Sequence, residues 1–116
     1  MVIRKNLNSN ALISVYDKSS LQKICLTLTK YNIGIISTGA TAKKIISLGF
    51  KCKEVSSLTK FKEILNGRVK TLNPKIHASL LFKRSNINHE KVFKKFNFPK
   101  IDFVIVNFYP FSKISN

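Results

Sequence analysis

Three short apolar runs decide what this chain can fold into. Leu12-Ile13-Ser14-Val15, Ile33-Gly34-Ile35-Ile36-Ser37 and Phe103-Val104-Ile105-Val106 are near-continuous and rich in β-branched residues. Each is shorter than a stable helix and lacks the polar–apolar alternation of a strand with one wet face. Such runs read as strands buried on both sides, as in parallel sheets. Between the first two, Leu21, Ile24, Cys25, Leu28 and Tyr31 recur at helical spacing, with Ser19 or Ser20 placed to cap the helix. After the second run, Thr38-Gly39-Ala40-Thr41 reads as a turn. Ala42, Ile45 and Ile46 then mark one face of a second helix, which Gly49 ends. Strand–helix–strand alternation of this kind predicts an α/β fold, a three-layer parallel sheet with helices on both faces. Its crossovers should be right-handed.

The remaining segments are less regular. Lys53-Glu54-Val55 reads as a short third strand. Phe61, Ile64 and Leu65 suggest one or two helical turns, stopped by Asn66-Gly67. Ile76 to Phe82 fits a buried helix and a buried strand equally well. Val92, Phe93 and Phe96 mark a short helix that Pro99 breaks. No internal repeat or linker interrupts the chain, and its 116 residues suit one domain.

Composition narrows the function classes. Hydrophobic residues make up 44% of the chain, enough for a core. No apolar run approaches the ~20 residues that span a bilayer. The segment 1–10 is polar and lacks the apolar centre of a signal peptide, so a cytoplasmic, membrane-free protein is expected. Cys25 and Cys52 fit no metal-ligand spacing and read as reduced core thiols. The net charge of +16 first suggests nucleic acid. Nearly all cations are lysines scattered along the chain, however, with arginine only at positions 4, 68 and 84. Lys, Asn, Ile and Phe are all abundant and all have AT-rich codons, so genome composition accounts for the bias. Weak, salt-sensitive binding to polyanions is expected, and specific nucleic-acid recognition is not.

The chemistry-bearing residues fall in two places. In an open parallel sheet, ligands bind outside the carboxyl ends of the strands. Tyr16-Asp17-Lys18, Thr38-Gly39-Ala40-Thr41 and Asn107-Phe108-Tyr109 all follow strands, and should share one rim. The Thr38 turn opens a helix, so it offers backbone N–H donors, two hydroxyls and a glycine for close approach to a phosphate. It reads equally as an ordinary capped turn, since it lacks the longer glycine patterns of nucleotide loops. The second place is Gly67-Arg68-Val69-Lys70-Thr71-Leu72-Asn73-Pro74-Lys75-Ile76-His77, which gathers two cations, a hydroxyl and an imidazole in a stretch without a clean period. Arg68 suits a phosphate or carbonyl, and Lys70 an acid–base role if desolvated. Alone, each reads as a solvated charge. His77, between Ile76 and Ala78, reads as a core histidine, and His89 as a surface residue. Tyr109, before Pro110, either points its hydroxyl into the rim or packs.

Together these motifs resemble one family. Ala11 to Lys18 looks like its opening strand and substrate loop, and Ser37-Thr38-Gly39-Ala40-Thr41-Ala42-Lys43 like its Ser-Thr-Gly-Gly-Thr-Ala-Lys turn. Gly67 to His77 is similar to its Gly-Arg-Val-Lys-Thr-Leu-His-Pro-Lys-Ile-His signature, and Asn107-Phe108-Tyr109-Pro110-Phe111 to its Asn-Leu-Tyr-Pro-Phe. The family is the bifunctional purine biosynthesis protein, which joins IMP cyclohydrolase to AICAR formyltransferase. The resemblance runs from about Ala11 to Phe111 and implies a methylglyoxal-synthase-like fold. It implies the last step of IMP synthesis, a hydrolase-class ring closure of formyl-AICAR to IMP and water that uses no metal or organic cofactor. Tyr16, Asp17, Lys18, Thr38, Gly39, Ala40 and Thr41 match residues holding the nucleotide, chiefly its phosphate. Arg68, Val69 and Thr71 match residues around the base, and Val106 and Asn107 a further contact. Lys70 and Tyr109 match residues implicated in ring closure, where a cation and a phenol stabilise charge on the formyl oxygen.

The chain departs from the family's pattern at several points. Ala40 replaces a second glycine, Asn73 replaces a histidine before the proline, and Tyr16 replaces a smaller residue. Ala78-Ser79 stands where small residues, often glycine, are usual. The family's cyclohydrolase domain also continues past the equivalent of Asn116, supplying an Asp and a Lys, and is followed by the formyltransferase domain. Residues 11–116 therefore read as a partial, truncated cyclohydrolase domain, expected to bind a purine nucleoside monophosphate and to turn over weakly or not at all alone. A homodimer partner, or a second chain completing the domain, is expected to cover the sheet. The competing readings are a non-catalytic nucleotide-binding remnant on the same fold and a basic polyanion-binding protein. The Gly67 to His77 signature argues against a methylglyoxal synthase.

Overall fold

A computed structural model describes residues 9–59 and 73–107. The elements run β1 (Asn10–Ser14), α1 (Leu21–Lys30), β2 (Gly34–Ser37), α2 (Gly39–Ser47), β3 (Lys53–Glu54), α3 (Val55–Thr59), α4 (Pro74–Leu81), α5 (Ile87–Lys95) and β4 (Ile101–Val106). The strands form one sheet in the order β3-β2-β1-β4, and every pairing is parallel. From β1 the chain moves outward to β2 and then β3. It then crosses back to place β4 on the other side of β1. The strand order thus reverses between β1 and β4, the position where open α/β sheets form ligand crevices.

Side chains alternate across a strand, so each strand feeds two cores. Ala11, Ile13, Val15 and Ile35 pack with Leu21, Cys25, Leu28 and Ile45 from α1 and α2. Leu12, Ile36 and Ile101 face the other way and meet Val55 and Ile76, with Leu58 alongside, from α3 and α4. This is the three-layer arrangement expected from the apolar runs. Ser37 joins the strands within it: its buried hydroxyl donates to the Ile13 carbonyl at 2.6 Å.

Several local expectations are corrected. Thr38 to Thr41 is not a separate turn. Thr38 is the extended N-cap residue, and Gly39 already begins α2. Gly39 has φ +46°, a left-handed angle that glycine alone adopts without strain, and this hides the helix start from a periodicity reading. Gly49 ends α2 as expected, with φ +95°. Ile46 is exposed, because the inward face of α2 is Thr41, Ala42 and Ile45. Tyr31 is exposed too, since it caps the end of α1. Ser20 is the N-cap of α1, but its side chain makes no capping hydrogen bond. Val55 belongs to α3, not to β3.

The stretch from Ile76 to Phe82 resolves as helix. Asn73 is its N-cap, accepting from the Lys75 N–H at 3.0 Å, and Pro74 follows in the first turn. On this helix His77 is exposed, against the expectation of a core histidine, because Ile76 and Ser79 occupy the inward positions. The short helix around Phe93 is longer than expected and starts at Ile87.

The largest correction concerns β4. An apolar strand flanked by apolar residues is expected to be covered on both faces. Instead Phe103, Val104 and Val106 are 45%, 53% and 51% exposed. Among the described strands β4 is an edge, with β1 its only neighbour, and the helices cover the β1–β2 half of the sheet. The turns expected at Phe61, Ile64 and Leu65 lie outside the described residues.

Candidate functional site at the carboxyl rim of the sheet

The ends of β1, β2 and β4 meet on one rim, and side-chain hydrogen bonds tie them together. Asn107 follows β4 and reaches the loop after β1. Its Oδ1 accepts from the Tyr16 and Asp17 N–H groups at 2.5 and 3.1 Å, and its Nδ2 donates to the Asp17 carbonyl at 3.0 Å. Thr41, in the first turn of α2, grips the same loop from the other side. Its buried hydroxyl donates to the Val15 carbonyl at 3.1 Å and accepts the Val15 N–H at 3.3 Å. The Thr38 and Ser14 hydroxyls approach to 3.5 Å. Asp17 Oδ1 accepts from the Ser19 N–H at 2.9 Å, which bends the loop towards α1.

Lys18 is folded back on this loop. Its ammonium donates to the carbonyls of Val15 and Tyr16 at 3.1 and 3.2 Å. A cation is therefore held at the mouth of the β1–β4 reversal by neutral acceptors, and an anionic ligand would offer it a stronger partner. The start of α2 adds a second anion-binding element. The first N–H groups of a helix have no intrahelical acceptor, and the Thr38 side chain makes no capping hydrogen bond to them. Gly39 presents backbone without a side chain there, whereas the Ala40 methyl is exposed.

Tyr16, Asp17, Lys18, Thr38, Gly39, Ala40, Thr41, Val106 and Asn107 are thus brought to one rim, as their positions after strands predict. There the Thr41 hydroxyl and the Asn107 amide hold backbone together. Arg68, Val69, Lys70, Thr71 and Tyr109 lie outside the described residues. Ser14 and Ser37 lie inside the matched motifs but were given no role of their own. Their signal is a hydroxyl within an otherwise apolar strand, which must find a partner when buried. Among the described residues no group of three or more His, Cys, Asp or Glu side chains is placed to share a metal ion.

Both cysteines are free. Cys25 is fully buried against the first core, and Cys52 is half-buried beside it. Burial pushes the Cys52 thiol up to about 11, with Cys25 and Glu54 adding to the rise and a Ser37 backbone hydrogen bond opposing it. Burial raises the Cys25 thiol as well. No described helix is long and apolar enough to cross a membrane.

Comparison with known proteins gives a consistent set of relatives. The MGS-like domain model matches residues 20–116. The bifunctional purine biosynthesis protein PurH of Oenococcus oeni is 50% identical over 103 residues, covering 89% of this chain and 20% of that protein. The PurH of Acetivibrio thermocellus is 47% identical over the same coverage. That of Dictyostelium discoideum is 44% identical over 101 residues, 87% of this chain and 19% of that protein. The chain thus spans about a fifth of the length of these relatives. Among solved structures, the crystal structure of ForH superposes with a TM-score of 0.76 at 22% identity, covering 88% of this chain and 53% of that one. That likeness concerns the fold.

Proposed function

The chain belongs to the MGS-like domain family in the form found in PurH proteins, and from that premise we propose that its rim binds a purine nucleoside monophosphate. The observation that carries this reading is the convergence of three strand ends at the β1–β4 reversal, with Lys18 and the start of α2 facing the same mouth. The phosphate sits at the Gly39–Thr41 backbone and draws the Lys18 ammonium away from its carbonyl partners. The base extends towards Val106, and Arg68, Val69 and Thr71 are assigned to it on the family resemblance alone.

The reaction assigned to this site is the closure of formyl-AICAR to IMP. The carboxamide nitrogen attacks the formyl carbon, the ring closes, and water leaves. Lys70 and Tyr109 are the residues proposed to stabilise charge on the formyl oxygen. The PurH relatives, named for purine biosynthesis, support this context. Formyl transfer is not assigned to this chain.

Calorimetric titration with IMP tests the reading. Saturable one-to-one binding is expected, weakened about tenfold by Lys18→Met through loss of one charge-assisted contact. Equal affinity for IMP and for the uncharged nucleoside would sink the phosphate assignment. Incubation with formyl-AICAR, followed by absorbance, tests ring closure separately. Binding without turnover leaves the site as a nucleotide receptor and removes the catalytic half of the proposal.

A further inference from the structure

A cavity lies along the sheet face that carries Ile36, from the paired Ile36 and Lys53 to the amino ends of β1 and β4. It has a volume of about 600 Å³ and opens between α5 and the amino-terminal ends of β1, β3 and β4, where Asn10, Lys53 and Lys100 stand. Its size is that of a small-molecule site, roughly 300–1,000 Å³. One wall is aromatic. Phe82 and Phe93 stack at 4.2 Å between ring centroids, and Phe98 meets Phe93 edge-on at 6.0 Å. Phe93 belongs to α5, which itself buries no residue. An empty cavity with an aromatic wall forfeits dispersion contacts that a planar ligand recovers.

The charges in the lining do not balance. The cations are Lys53, Arg84, Lys94 and Lys100, against the carboxylates Glu90 and Asp102. Asp102 is already bridged twice, to Arg84 at 3.4 Å and Lys100 at 3.7 Å. Burial pushes its carboxyl up, but the Ser9 hydroxyl, Lys100 and Arg84 outweigh that and hold it below the usual carboxylate range. Arg84 is further fixed over the Phe82 ring at 4.5 Å and donates to the Ile101 carbonyl. Lys53 and Lys94 therefore leave a positive excess at the mouth, with Glu90 the one remaining carboxylate in the described lining.

We infer that this cavity is a binding site for a small planar aromatic anion, its ring against Phe82, Phe93 and Phe98 and its charge towards Lys53 and Lys94. The site is independent of the nucleotide rim. The test titrates the isotope-labelled full chain with 2-naphthoate and follows amide shifts by NMR. Saturable shifts are expected at residues 82–98 and at Lys53, with the rim amides of Thr38 to Thr41 unmoved. Lys94→Glu should weaken binding about tenfold, and Lys43→Glu, the same charge change on exposed α2, should leave it intact. Phe93→Leu keeps a core-sized side chain and should weaken binding, with retained amide dispersion showing that the fold survives; unchanged binding would overturn the aromatic contact. The uncharged analogue 2-naphthylmethanol should bind more weakly than the carboxylate. Equal losses from Lys94→Glu and Lys43→Glu would mean that only the overall charge attracts the probe. Shifts confined to the rim, or competition by IMP, would place the ligand in the nucleotide site. Either result overturns the inference.

Discussion

Asn107 shows how one residue sets the shape of the rim. It carries an acceptor and a donor on a short side chain, and both are engaged by the Tyr16–Asp17 backbone. Asn107→Ala removes the acceptor of two N–H groups and the donor to one carbonyl. The expected result is faster hydrogen exchange at the Tyr16 and Asp17 amides and an IMP affinity about tenfold lower, since the loop must then be ordered on binding. Asn107→Asp keeps the acceptor oxygens and should restore protection of the two amides. Exchange unchanged in the alanine variant would remove the clamp, whatever the outcome with IMP. Cys52 makes a second prediction at this scale. An unfolded thiol ionises near 9.0, whereas the folded one is pushed up to about 11. The neutral thiol is thus favoured by folding. Its contribution is complete below pH 9 and is lost as pH rises towards 11. Urea midpoints from pH 8 to 11 should fall more steeply for the parent chain than for Cys52→Ala, a comparison that cancels the lysines. Parallel curves would contradict the burial of this thiol. The burial of Cys52 was legible in the sequence, and the clamp made by Asn107 was not. An asparagine after a strand is ambiguous between gripping a ligand and gripping backbone, and the choice depends on which strand lies beside it.

At the scale of elements, the sequence carried more than periodicity alone extracted. The strands and α1 were legible because apolar length and helical spacing reflect burial directly. Ile76 to Phe82 was ambiguous by period, yet Asn73-Pro74 just before it is an N-cap followed by a proline in the first turn, which selects helix. The start of α2 was missed because Gly39 enters it through a left-handed φ. Gly39→Ala should therefore destabilise the chain by roughly 1–2 kcal/mol, the cost of a Cβ in that region. A denaturant midpoint equal to the parent's would refute the strained entry. The helix α5 makes a complementary case. It buries no residue, so its ends matter more than its face. Asn86 accepts from the Asn88 and His89 N–H groups at 3.0 and 3.1 Å, and His89 Nδ1 accepts the Lys83 N–H at 2.9 Å. Asn86→Ala should cost about 1 kcal/mol, concentrated in α5 as faster amide exchange. Exchange accelerated evenly over the whole chain would show instead that α5 folds with the core.

On the scale of the whole molecule, two features oppose each other. The chain carries a net charge of +16. It also presents Phe103, Val104 and Val106 on β4, an edge among the described strands, where exposed apolar faces invite another strand. The apolar run of β4 predicted burial and met exposure, so the sequence pattern recorded a surface to be covered without saying by what. A second copy is one covering, and its approach is resisted by like charge. Salt separates the two forces. At about 0.01 M ionic strength the Debye length is ~30 Å and the repulsion acts across the whole interface; at 1 M it is ~3 Å and the apolar contact decides. Sedimentation velocity should therefore show monomers at low salt and a growing dimer population at high salt. Val104→Lys should hold the chain monomeric in both. Polyanion binding should move the other way, since released counterions drive it and added salt removes that drive. Retention on heparin should disappear over the range in which the dimer forms. Dimers that dissolve on adding salt would mean that ion pairs, and not the β4 edge, join the copies.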